Sequence, residues 1–237
     1  MFAQTARYER EERRELSENT LELRSGFDFT TGDYGSDLGE SDSWIMPIEL
    51  SYQSGDIQFF ASVPFVKYID PDEDGGRMTT SGWGDLELGA AYVFDVMDSG
   101  SYFDLEATVG LPTADEDEGV GSGLYSYAGD LNYSWPVGDY SFTGGIGYSV
   151  SGDSDVSYFP GQWTASFDVG YDIAEDAYIG ATYEWSPAGG GFGPSSLVEV
   201  YAAYDLVPAI HLNPHVLAGL SENSPDYGAG LSVGVRY

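Results

Sequence analysis

The chain has 237 residues, a length normal for one all-β barrel without a second domain. Forty acidic residues against eight Lys and Arg give a formal charge of −32, which excludes nucleic-acid binding by phosphate neutralisation and a polybasic membrane-surface module. Cysteine is absent, so disulfides, thiol chemistry and thiolate zinc sites are excluded as well.

No run approaches the ~18–20 consecutive apolar residues that a spanning helix needs. A barrel strand escapes that test, because it alternates lipid-facing and lumen-facing residues and averages to near neutrality. Met1-Phe2-Ala3-Gln4 leads at once into charge, so no signal peptide is visible, and the N-terminus reads as a mature form with an added start Met. Residues 5–16, TARYEREERREL, carry both signs of charge and no strand pattern. Residues 1–17 are therefore expected to be a frayed or helical periplasmic extension, with a lumen plug as the alternative, and 18–237 a single barrel.

From residue 20 onward the period is two. Twelve segments follow, near 20–30, 43–53, 56–68, 82–94, 101–111, 124–135, 139–150, 161–173, 176–186, 195–206, 210–220 and 226–237. In the fourth, Leu86, Leu88, Ala90, Tyr92 and Phe94 oppose Trp83, Asp85, Glu87, Gly89 and Ala91. In the seventh, Tyr140, Phe142, Ile146, Tyr148 and Val150 oppose Ser141, Thr143, Gly145, Gly147 and Ser149. In the last, Tyr227, Ala229, Leu231, Val233, Val235 and Tyr237 oppose Gly228, Gly230, Ser232, Gly234 and Arg236. About ten alternating residues is the length a tilted strand needs to cross a bilayer.

The connections alternate between short turns, such as Ser54-Gly55 and Ala174-Glu175, and long acidic stretches such as TGDYGSDLGESD, DPDEDGGRMTTS and PTADEDEGVGSG. Short-long alternation with an even strand number predicts a transmembrane antiparallel up-and-down barrel of the bacterial outer membrane, with short periplasmic turns and longer outer loops. A soluble acidic sandwich would alternate too. It would not place Trp44, Tyr52, Phe94, Trp135, Tyr140, Tyr171, Trp185, Tyr204 and Tyr237 so consistently at strand ends on the apolar face, where they suit two interfacial girdles. Closure also removes the unsatisfied edges that lipid does not tolerate. The expected partners are the lipid bilayer and lipopolysaccharide, small solutes, and barrel-assembly machinery that would read the terminal aromatic Tyr237.

If the apolar faces meet lipid, the opposite faces line a lumen. Asp85, Glu87, Glu106, Asp130, Asp168 and Glu199 then mark a solute pathway, and a file of carboxylates in a low-dielectric wall favours cations. Arg24 and Arg236, on the first and last strands, must meet at closure. They are expected to form a periplasmic-end charge network with Glu22, Glu49, Asp205 and His211. Asp70, Asp72, Glu73 and Asp74, and Asp115, Glu116, Asp117 and Glu118, offer oxygen ligands for Ca²⁺, but neither run has EF-hand spacing and solvated charge is the expected reading. His211, Asn213 and His215 resemble catalytic material, yet their alternation puts all three inside, away from a lipid substrate. On a strand His211 and His215 stand ~13 Å apart, too far to share a metal. No catalytic residue, metal or cofactor is expected. The function expected is passage of small solutes, and the alternative is a structural or partner-binding barrel with a closed lumen.

Several strings resemble one family. Ser81-Gly82-Trp83-Gly84-Asp85-Leu86-Glu87-Leu88-Gly89 followed by Ala91-Tyr92-Val93-Phe94 is similar to a strand of the outer-membrane transporters of the MetA-pathway phenol-degradation family. Met46-Pro47-Ile48-Glu49-Leu50-Ser51-Tyr52, Val63-Pro64-Phe65, Gly144-Gly145-Ile146-Gly147-Tyr148 and Gly110-Leu111-Pro112-Thr113 match further stretches, with Ala114 where the family has Gly. The resemblance implies a channel-like outer-membrane protein admitting small organic or aromatic compounds, with no catalytic residues to carry over.

Overall fold

The computed structural model describes residues 19–34, 39–72, 76–96, 100–115, 119–121, 123–151, 161–188 and 193–237. The expected extension at 1–17, and Glu73, Asp74 and Glu116 to Glu118 of the acidic runs, lie outside the described residues. Thirteen strands follow one another, with no helix among the described residues: β1 (Thr20–Gly32), β2 (Ser41–Ser54), β3 (Ile57–Pro71), β4 (Arg77–Trp83), β5 (Leu86–Asp95), β6 (Tyr102–Leu111), β7 (Ser126–Val137), β8 (Tyr140–Ser151), β9 (Gln162–Ala174), β10 (Ala177–Ser186), β11 (Ser195–Val207), β12 (Ile210–Gly219) and β13 (Tyr227–Arg236).

Apart from β4 and β5, neighbours in the chain pair antiparallel, β1 pairs with β13, and the β2–β3 pairing closes the ring. The thirteen strands occupy twelve positions. Both β4 and β5 lie along β3, the first against Phe65–Pro71 and the second against Ile57–Ser62. The fold is thus a closed twelve-position antiparallel barrel whose ring runs through β5, with β4 added along the far half of β3.

The shared position differs from the segment predicted near 82–94. It begins at Arg77, so a stretch expected as loop is strand, and Asp70 and Pro71 extend β3 to meet it. It is also interrupted. Gly84 donates its N–H to the carbonyl of Pro64 at 2.8 Å, and a Cβ on Gly84 would lie 2.9 Å from the Pro64 ring. That interruption resets the alternation. Trp83, expected on the inward face with Glu87, is 53% exposed and stands edge-on to Phe65 outside the barrel. Pro47 faces Pro64 across β2–β3, and the β1–β2 register skips from Ser25–Ile48 to Asp28–Ile45. Prolines without N–H groups break the ladder locally, which is why three neighbouring strands are irregular at one height.

Burial is inverted relative to a soluble protein. Glu22, Arg24, Asp104, Asn132, Asp168, Thr182, Glu199 and His211 are buried, while Leu23, Leu50, Phe59, Ile146, Val200, Val216 and Leu231 are exposed. Water does not stabilise a continuous apolar belt of this extent, whereas bilayer hydrocarbon does. A soluble two-sheet sandwich is excluded by the closed ring.

Strand tilt gives the interior a helical character. Directly opposed residues run Ser134, Thr143, Asp168, Thr182, Glu199, Leu217, Gly228 and Thr30. Ser134 stands near the short-turn end of β7, and Thr30 near the long-loop end of β1. A row perpendicular to the strands therefore climbs through the barrel, as shear in a closed sheet requires.

Candidate functional site: the barrel interior

The β1–β13 seam brings the two predicted arginines together. Glu22 lies directly across from Arg236, and Arg24 from Gly234. Glu22 is the hub. Its carboxylate meets Arg24 Nη2 at 2.6 Å, His211 Nε2 at 3.3 Å and Arg236 Nε at 3.3 Å. Asp205 is a looser member, 3.9 Å from Arg236 Nη1, and Glu49 faces Arg24 in the β1–β2 register. His211 is fully buried, its ring seated against Gly234, where a side chain would collide with it. A second histidine pair, His215 Nε2 to Asp28 Oδ1 at 3.1 Å, sits further toward the long-loop end on β12 and β1. The pattern placed His215 inside but offered no sign of its pairing with Asp28, since the β1–β13–β12 register decides it.

The six residues read as a solute pathway do not form one ring. Glu106 and Asp130 are direct cross-strand partners on β6 and β7. Glu87 faces Ser62 on one side and Gly110 on the other. Asp168 and Glu199 flank Thr182, on β9, β11 and β10 respectively. Asp85 serves the β4–β5 interruption instead: its carboxylate accepts the backbone N–H groups of Thr113 and Ala114 at 2.9 Å.

Around Asp168 lies a hydroxyl cluster that charge reading missed. Thr182 and Tyr201 both donate to Asp168 Oδ2, at 2.6 and 3.0 Å. Tyr178 and Ser141 share a hydrogen bond at 3.1 Å, and the Tyr178 and Tyr201 rings are 5.9 Å apart. Each tyrosine lies over a glycine, Tyr178 over Gly170 and Tyr201 over Gly180, where a side chain would occupy the ring's place. The available signal was an aromatic out of phase: both tyrosines fall on the polar face of their strands. The wall of β2, β3 and β5 is mixed, presenting Ile45, Pro47, Phe60, Val66, Ala91 and Val93 inward between Glu49, Ser62 and Glu87.

Outside, the predicted aromatics gather at two heights. Near the short turns, Tyr92, Phe94, Phe103, Tyr133, Trp135 and Phe142 form a continuous file of ring contacts, with Tyr140 on Tyr171 beside it. Tyr52, Tyr204 and Tyr237 are exposed at the same end. Near the long loops, Trp44 packs on Phe27 and Phe29, Tyr148 on Trp163, and Trp185 is exposed.

No curated protein matches the chain. Among solved structures, an outer membrane channel from Pseudomonas putida F1 superposes with a TM-score of 0.75 at 15% identity, over 93% of this chain and 96% of that one. The translocator domain of the autotransporter NalP from Neisseria meningitidis gives 0.57 at 12% identity, over 99% and 97%. The KdgM porin gives 0.55 at 13% identity, over 92% and 98%. At such identities the likeness is one of fold. The sequence match is wider in meaning, since it spans residues 39–237 and takes in every strand from β2 onward. By that match the chain belongs to the family described as "Putative MetA-pathway of phenol degradation".

Proposed function

We propose that the chain is an outer-membrane channel for small solutes, with cations and small neutral organic compounds preferred over anions. One observation carries the reading: a closed ring turns its carboxylates inward and its apolar side chains outward. Glu87, Glu106, Asp130, Asp168 and Glu199 all face the interior, and carboxylates in a low-dielectric wall attract cations and repel anions. Ile45, Pro47 and Phe60, which share the inward face of β2 and β3 with Glu49 and Ser62, would offer uncharged organic molecules apolar contacts. The aromatic belts would seat the barrel at the two lipid interfaces, with lipopolysaccharide around the long-loop end and assembly machinery acting on the β13 terminus.

A second reading is favoured by how filled the interior is. Asp104, Ser134, Thr143, Glu199 and His211 are less than 2% exposed, as in a barrel that is shut and acts as a structural or partner-binding unit. Planar-bilayer recording separates the two. The channel gives a steady conductance whose reversal potential under a salt gradient lies on the cation side, and liposome swelling with small neutral organics. A silent membrane and unswollen liposomes support the closed barrel.

A further inference from the structure

We propose that Asp168, Thr182 and Glu199 form a seat for one singly charged cation on the β9–β11 wall. The seat deepens the channel reading and depends on it only for its role in passage. Glu199 is fully buried, and neither carboxylate oxygen has a hydrogen-bond partner among the described residues. An ionised carboxylate in that position is strongly disfavoured without a counter-charge. Asp28 on β1 and Glu184 on β10 also face the interior, and the arginines of the seam are engaged at Glu22, toward the other end of the barrel.

The surroundings of Glu199 supply what a cation needs. Thr182 is its direct partner on β10, and Asp168 is the direct partner of Thr182 on β9, so the two carboxylates stand roughly 10 Å apart at the backbone with a hydroxyl between them. The Thr182 proton is committed to Asp168, which leaves the hydroxyl's oxygen lone pairs for a cation beside Glu199. Tyr201, two residues from Glu199 on the same face, lies over Gly180 and adds an aromatic face to the enclosure. From here the opposed row continues through Thr143 and Ser134, themselves hydrogen-bonded at 2.8 Å, toward the short-turn end. A cation leaving the seat therefore meets hydroxyl oxygens.

The charge of the occupant follows from the donor set. Among the described residues no three carboxylate or imidazole groups converge as a metal site. Ca²⁺ takes six to eight oxygens, and Asp168 Oδ2 already accepts two hydrogen bonds. An alkali-metal ion or an ammonium group fits the shared chemistry of one positive charge, two carboxylates, a hydroxyl and a ring.

The test is a thermal titration of the detergent-solubilised full chain with KCl, and separately with methylammonium chloride. Ionic strength is held constant with the bulky N-methylglucamine salt. The seat predicts a saturable rise in Tm with one or both cations, by linkage to the folded barrel. Glu199→Gln and Asp168→Asn should each weaken the midpoint by about tenfold or abolish the response. Glu222→Gln, which removes the same charge from an exposed loop, should leave it unchanged. Response to potassium alone identifies an alkali-ion seat, and response to methylammonium alone an ammonium seat. A flat titration in the unsubstituted chain overturns the proposal, because Glu199 is then protonated or met by a cation of the chain itself. Equal titrations with and without Glu199→Gln overturn it too. Heat-modifiable gel migration checks that each variant is folded. A membrane that stays silent in bilayer recording removes the channel reading while the thermal titration still decides the seat.

Discussion

Asp85 and Thr113 tie two turns together: the Asp85 carboxylate accepts the N–H of Thr113, and the Thr113 hydroxyl accepts the N–H of Leu86, the residue after Asp85, both at 2.9 Å. The Gly-Asp-Leu string after β4 and the Pro-Thr string after β6 are therefore two halves of one lock. It fastens the chain where the fourth barrel position is interrupted, and it satisfies backbone donors that the ladder leaves behind. Asp85→Ala is expected to cost about 1–3 kcal/mol, with Thr113→Val somewhat less. Equilibrium unfolding in urea checks the cost, and limited proteolysis between residues 111 and 125 checks its location. An unchanged midpoint for Asp85→Ala would show that the loop holds without the lock.

The Glu22 hub makes a sharper prediction at the seam. Removing the carboxylate leaves Arg24, Arg236 and His211 confronting one another in a buried space, so Glu22→Ala should destabilise the barrel by about 3–5 kcal/mol. A double-mutant cycle on Glu22 and Arg24 should give the larger coupling. The cycle on Arg236 and Asp205, whose charged atoms are 3.9 Å apart, should give about 0.5 kcal/mol or less. The reverse order would place the centre of the network at Asp205.

Two glycines on opposite faces offer a paired test of inside and outside. Gly234 underlies the His211 ring, whereas nothing lies within 4 Å of where a Cβ on Gly144 would stand. Gly234→Ala should displace His211 and lower stability by about 1–3 kcal/mol. Gly144→Ala should stay within about 0.5 kcal/mol of the unsubstituted chain. Heat-modifiable migration scanned against temperature reads both.

All five tryptophans, Trp44, Trp83, Trp135, Trp163 and Trp185, stand on the outward face. Reconstituted into bilayers with brominated acyl chains, the barrel should lose most of its tryptophan fluorescence, and aqueous iodide should quench little of it. Strong iodide quenching with weak bromolipid quenching would reverse the assignment of faces.

The order and direction of the strands were legible because period-two alternation is a local property, written residue by residue. The polar interior was legible for the same reason. Trp83 was misplaced because alternation carries its phase only while the strand is unbroken, and the contact between Gly84 and Pro64 that breaks it joins residues twenty positions apart. Glu22 and Arg236 could be brought near each other by closure alone, but which carboxylate would collect two arginines and a histidine could not be foreseen.

The linear order of residues by itself determined that this chain is a barrel, and which side of each strand is greasy and which is polar. Only the closed ring decided which carboxylates become neighbours. Register and shear fix the partner of every inward residue at once, and a shift of one strand by two residues would keep each face intact while separating Asp168, Thr182 and Glu199. Those two quantities belong to the whole sheet, so no single segment could have announced them.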